Sequence, residues 1–139
     1  MGTTQEPFEF HATLSHLDAG LETLHESVQR LRESTGRDQD DRNIMQFEIA
    51  LAEIGANVLT HGRPAGTDPP VEYSLRVERG AVVAEFIDQG PPAHHSIQRG
   101  MPDTESESGR GLPMARSLLD EMGYERDGEV NKWRLVKRL

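Results

Sequence analysis

Glu53-Ile54-Gly55-Ala56-Asn57-Val58-Leu59-Thr60-His61 is the stretch on which the reading of this chain turns. It lies in a run where Ile44, Phe47, Leu51, Ile54 and Val58 recur at intervals of three or four, the spacing of one apolar helix face. Residues four apart are neighbours on a helix surface, so Glu53, Asn57 and His61 form a polar row beside that stripe. Surface rows usually carry Lys and Arg as well, and this one has a carboxylate, an amide and an imidazole. Taken alone, it still reads as a solvated helix face. Two stretches downstream change that: Asp88-Gln89-Gly90-Pro91-Pro92 at the end of an expected strand, and Ser108-Gly109-Arg110-Gly111-Leu112 opening an expected helix.

The 139 residues suffice for one domain with a real core, and neither a repeat nor a second domain is visible. No apolar run approaches the roughly 18 residues of a membrane span. The start, Met1-Gly2-Thr3-Thr4-Gln5-Glu6, lacks the basic and apolar regions of a secretion signal. Cysteine is absent, which excludes disulfides and thiol chemistry and is compatible with a cytoplasmic setting. A net charge of −9 argues against sequence-independent binding of nucleic acid. Any anionic ligand must be held by local donors and a metal against that field.

Residues 1–7 read as a tail. Phe8 to Leu14 alternates as a first strand. Ser15 with Asp18 resembles an N-terminal cap, and Leu17, Leu21, Leu24, Val28 and Leu31 make an amphipathic helix ending near Gly36. Arg37 to Asp41 is a charged linker to the organising helix. Val71 to Val77 alternates with one wet face, Arg79-Gly80 turns, and Ala81 to Ile87 returns as a buried strand ended by Asp88. Residues 91–107 have no apolar periodicity, and a loop that long is a functional lid or disordered. Leu112, Ala115, Leu119 and Met122 mark a third helix, with Pro113 in its first turn and Gly123 as its cap. Tyr124 to Arg126, a turn at Asp127-Gly128, and Val130 to Leu139 close the chain as two strands, Trp133 and Leu135 facing inward. The pattern suggests an α/β (α+β) two-layer sandwich, a mixed, mostly antiparallel sheet with helices on one face.

The chemistry can be read residue by residue. No Gly-x-x-x-x-Gly-Lys-[Ser/Thr] loop is present, so a Walker-type nucleotide site is excluded. Asp88 is an acceptor at a strand end, and Gly90 permits close approach to the backbone; an Asp-x-Gly turn after a strand is also very common. Gly109 and Gly111 at a helix start expose backbone N–H groups suited to an anion, with Ser108 and Arg110 as further donors; a flexible loop before an ordinary helix fits as well. The Asn57 carbonyl oxygen suits Mg²⁺, which takes few protein ligands. Glu53, one turn away, can accept a proton. His61 is as well explained by capping its helix as by catalysis. His94-His95 lacks a third ligand at a recognisable spacing, so no zinc site is read there.

In that order and spacing, the three stretches resemble the N, D-x-G and G-x-G boxes of the GHKL superfamily of ATP-binding proteins. The small stand-alone anti-sigma-factor serine/threonine kinases are the nearest match, and the resemblance runs from about Phe8 to Leu139. It implies the Bergerat-type ATP-binding fold, with residues 91–107 as the ATP lid. It implies ATP and Mg²⁺ as cofactors: Asp88 takes the exocyclic amine of adenine, Gly90 lies against the ring, Ser108, Gly109, Arg110 and Gly111 line the phosphates, and Asn57 holds the metal. It implies Glu53 as the base that activates a protein serine. The partners implied are an antagonist protein carrying the target serine or threonine, and a sigma factor; many members are homodimers. A partner-capture module that binds ATP without transferring phosphate has the same boxes. Asp88→Ala is expected to weaken ATP binding strongly without unfolding the domain, because strand-end carboxylates seldom support a core.

Overall fold

Apolar residues at every third or fourth position wind residues 42–61 into the helix around which the other elements pack. The structure, a computed structural model, describes residues 8–61, 69–92 and 107–139, with residues 107–111 described by backbone alone. The elements are β1 (Glu9–Leu14), α1 (Leu17–Thr35), α2 (Arg42–His61), β2 (Val71–Glu78), β3 (Ala81–Asp88), α3 (Glu107–Leu118), β4 (Glu121–Asp127) and β5 (Val130–Arg138). The sheet order is β1-β2-β3-β5-β4, and all four pairings are antiparallel. Among the described residues no helix is long and apolar enough to cross a membrane.

One face of the sheet carries the core. Tyr73 and Leu75 of β2, Ala84 and Phe86 of β3, and Trp133 and Leu135 of β5 join Leu24, Val28, Ile54, Val58, Leu112 and Ala115 from the helices in a single buried cluster. The expected stripe of α2 is all there: Ile44, Phe47, Leu51 and Ile54 are fully buried and Val58 nearly so. The other face is charged. Glu85 takes Arg76 at 2.8 Å and Lys132 at 3.1 Å, as period-two alternation requires of residues between Ala84 and Phe86 or beside Trp133. Two helices cross closely because Gly55 has no side chain; a Cβ there would stand 2.4 Å from Leu24 Cδ1. Gly36, at φ 71°, closes α1 in the left-handed region as its position predicted.

Two boundaries differ from the pattern reading. The N-cap of α1 is His16 with no side-chain hydrogen bond, rather than Ser15. The third helix starts five residues earlier than the apolar spacing implied and stops at Leu118, so Met122 and Gly123 lie in β4. Leu119 and Met122 fit a helical period, but Met122 and Tyr124 also fit a period of two. The antiparallel partner decides: Met122 pairs with Leu135, Gly123 with Arg134 and Tyr124 with Trp133. Asp120 fixes the switch, its N–H donating to Val136 O at 2.9 Å and its carboxylate accepting from Arg138 N at 2.6 Å. Pro113 is therefore inside α3, where it leaves the Gly109 carbonyl without its helical donor.

Candidate functional site

The helix that carries the polar row is anchored at its start. Asp41, read from the sequence only as linker, is its N-cap: Oδ1 accepts from Ile44 N–H at 3.0 Å and Oδ2 takes Arg37 Nη1 at 2.7 Å. The Ile44 bond, with Arg37 helping and burial opposing, holds the Asp41 carboxyl below the ordinary aspartate range. From that anchored start α2 runs to His61, and its last turns meet the end of β3. Asn57, Val58 and His61 line one wall of a small cleft whose other residues are Asp88, Pro91, Asn131 and Trp133. Glu53 is half-buried one turn back along the same row. Among the described residues nothing bonds to its carboxylate.

Asp88 is only 2% exposed although it lines this cleft. Oδ1 accepts from Gly90 N–H at 2.8 Å and from Asn131 Nδ2 at 2.8 Å, and Oδ2 accepts from Trp133 Nε1 at 3.2 Å. A carboxylate has about four acceptor positions. The bonds among the described residues leave one, on Oδ2. Asn131 is also buried, and its amide joins the cleft to the β4–β5 hairpin. Nδ2 lies 3.0 Å from Gly90 O and 3.1 Å from Pro91 O, while Oδ1 accepts from Arg126 Nη1 at 2.9 Å and from the Tyr124 hydroxyl. Arginine can only donate, so the Asn131 oxygen must face Arg126 and its NH₂ must face Asp88. Arg126 Nη1 also donates to Gly90 O at 2.9 Å, so the turn after β3 is tied to the hairpin twice.

Of the residues singled out in the sequence, Asn57 and Asp88 meet across the cleft, and Gly90 is buried at its edge. Glu53 adjoins them on α2. Ser108, Gly109, Arg110 and Gly111 lie inside the first turns of α3 rather than in a turn before it, and their side chains are outside the described residues. Ser108 and Gly109 fall among the first three residues of that helix, whose N–H groups have no intrahelical acceptor, whereas the helical position of Gly111 turns its N–H to the Glu107 carbonyl, so of the two glycine donors expected for an anion only Gly109 stays open. The span 93–106, with His94 and His95, lies outside the described residues. Asn131 went unrecognised, as did the partners Arg126 and Tyr124. The signal was there: Asn131 shares the inward phase of Trp133 and Leu135, and a polar residue at an inward position marks a site or a buried network.

No three His, Cys, Asp or Glu among the described residues group to hold a metal. A cation here would need phosphate oxygens and water beside the Asn57 amide, which fits Mg²⁺. The open acceptor of Asp88 fits a neutral amine donor, and the start of α3 fits an anion. The antiparallel sandwich sets this cleft at the end of its central strand β3, where the GHKL resemblance implies the nucleotide.

The chain belongs to the histidine kinase-like ATPase domain family, whose model matches residues 11–137. Membership implies ATP as ligand. The fold is similar to the crystal structure of the RsbU and RsbW domains of Rv1364c from Mycobacterium tuberculosis, with a TM-score of 0.68 at 20% identity over 95% of this chain and 32% of that one. It is also similar to the catalytic domain of the histidine kinase ThkA, with a TM-score of 0.52 at 14% identity over 96% and 95% of the two chains. At those identities the likeness is one of fold, and the present chain spans about a third of the Rv1364c chain. No curated protein matches the sequence.

Proposed function

We propose that this domain binds MgATP in the cleft and acts as a protein serine/threonine kinase of the anti-sigma-factor type, phosphorylating a small antagonist protein and sequestering a sigma factor. The observation that supports it most is the convergence of Asn57 and Asp88, 31 positions apart, on one cleft beside Glu53. The fold likeness to a chain containing an RsbW domain points the same way. The whole of residues 1–139 is taken as one such domain, cytoplasmic and able to pair with a second copy.

In this reading Asp88 Oδ2 accepts from the adenine amine and the N–H groups that open α3 meet the phosphates. Asn57 supplies a carbonyl oxygen to Mg²⁺, which when bound neutralises the phosphate charge. Glu53 takes the proton of the incoming hydroxyl as its oxygen bonds to the γ-phosphorus and the bond to ADP breaks. The test is transfer of labelled phosphate from ATP to a candidate antagonist protein carrying a serine or threonine. Transfer that requires Glu53 supports the kinase. ATP binding with no transfer to any antagonist replaces it with a partner-capture module.

A further inference from the structure

We infer that Asn131 is a positioning residue that sets the base specificity of the site, by restricting Asp88 to a single acceptor; the inference rests on the reading of Asp88 as the purine contact. A bare carboxylate does not by itself prefer adenine. Guanine presents its N1–H and its 2-amino group side by side, and these pair with a free carboxylate at two points, one hydrogen bond to each oxygen. Adenine offers one amine and makes one such bond. A carboxylate with both oxygens open therefore has a ready mode for guanine.

In this protein that mode is closed. Oδ1 of Asp88 has both of its acceptor positions filled, by Gly90 N–H and by Asn131 Nδ2, each at 2.8 Å. Oδ2 already accepts from Trp133 Nε1 at 3.2 Å. A base reaching into the cleft finds one position on one oxygen. The single adenine amine satisfies it, whereas guanine buries a second donor with nothing to meet it, which costs affinity. Asn131 can hold this role because its own orientation is fixed from outside the cleft by Arg126 Nη1 at 2.9 Å and by the Tyr124 hydroxyl, neither of which lines the cleft. Gly90 N–H is fixed by the chain, so Asn131 is the member of the cap that a side-chain change can remove.

The 2-amino group isolates the effect, because inosine triphosphate differs from guanosine triphosphate only in lacking it. Titration of the full chain with ATP, GTP and ITP should show ATP tightest and GTP no better than ITP, within about threefold. In Asn131→Ser, whose shorter side chain withdraws the amide from Oδ1, GTP should gain about tenfold or more over ITP, the worth of one hydrogen bond to a charged group. A merely structural role would weaken all three nucleotides and leave the GTP/ITP ratio unchanged. An unchanged ratio in a folded Asn131→Ser overturns the inference. So does wild-type protein that already binds GTP tenfold tighter than ITP, a result that needs no variant to fold. Wild-type protein that binds none of the three overturns the purine reading of Asp88, and this inference with it.

Discussion

Removing the Asp88 carboxylate should cost stability as well as nucleotide affinity. Asp88→Ala takes away the acceptor of three donors: Gly90 N–H, Asn131 Nδ2 and Trp133 Nε1. Asn131 Nδ2 keeps the Gly90 and Pro91 carbonyls within 3.1 Å and loses little. The Gly90 N–H and the indole N–H of a residue only 2% exposed lose the one acceptor described for them. A buried donor left unpaired costs about 1–3 kcal/mol, so the pair is worth about 2–6 kcal/mol. That is a large part of the 5–15 kcal/mol typical of a domain. Asp88→Asn keeps an oxygen for Gly90 and Asn131 and turns its NH₂ toward Trp133, orphaning one donor at about 1–3 kcal/mol. The order of stability should be wild type, Asp88→Asn, Asp88→Ala, with losses of about 3 °C in Tm per kcal/mol for a chain of this size. Trp133 is the sole tryptophan and sits against the carboxylate, so its fluorescence reports denaturant unfolding of each variant directly. Asp88→Ala within about 0.5 kcal/mol of wild type, which is the noise of a surface change, would refute the reasoning. The sequence-based expectation that this substitution spares the fold is thus corrected by burial. Asp88→Asn is the variant suited to testing nucleotide binding.

Other outcomes follow from the same geometry. Glu53→Gln should bind ATP nearly as wild type and slow phosphate transfer by roughly 10²–10⁴-fold, the usual share of a general base; transfer at the wild-type rate would remove Glu53 from that role. Asn57→Ala should instead weaken MgATP binding, with a loss that grows as Mg²⁺ is lowered, as calorimetric titration at several metal concentrations would show. Gly55→Val should destabilise by about 1–3 kcal/mol, since even a Cβ there meets Leu24 at 2.4 Å inside the core; unchanged denaturant midpoints would contradict it. The lowered pKa of Asp41 makes its carboxylate stabilising at neutral pH, and that contribution should fade as pH falls below the ordinary value of 3.8. Asp41→Asn should flatten this acid limb of the stability–pH curve, whereas Asp41→Ala should also lose about 0.5–2 kcal/mol of capping at pH 7.

The parts of this fold legible in the sequence are those with one dominant period. The stripe from Ile44 to Val58 and the alternation from Val71 to Val77 each admit a single reading, and Arg79-Gly80 turns with both residues at positive φ, 52° and 78°. The passage from α3 into β4 was not legible, because Met122 satisfies two periods at once, a helical one with Leu119 and a period of two with Tyr124. Only the hydrogen-bonding edge offered by β5, distant from α3 in pattern though not in space, selects the strand. The same limit applies to the site. Glu53, Asn57, Asp88 and Gly90 stand out as local motifs. Asn131 does not, since its meaning depends on Asp88 opposite it in the β3–β5 register and on Arg126 and Tyr124 in the neighbouring strand.

That register explains why site and core cannot be separated here. Along the inward face of β5, Asn131 serves the cleft, Trp133 serves both, and Leu135 is core. Trp133 is the hinge of this sequence of roles: its ring packs on Tyr124 at 4.9 Å, and its N–H ends on Asp88. The carboxylate is therefore held by a side chain whose apolar body is fixed by packing, and it cannot swing to meet a ligand. Pre-set acceptors of this kind discriminate between bases better than mobile ones, because a mismatched donor stays unpaired instead of being accommodated. The cost is that every polar atom of the platform must be satisfied before a nucleotide arrives. Asn131, Gly90 and Trp133 meet that condition for Asp88 and leave one acceptor open, the one proposed above for the base.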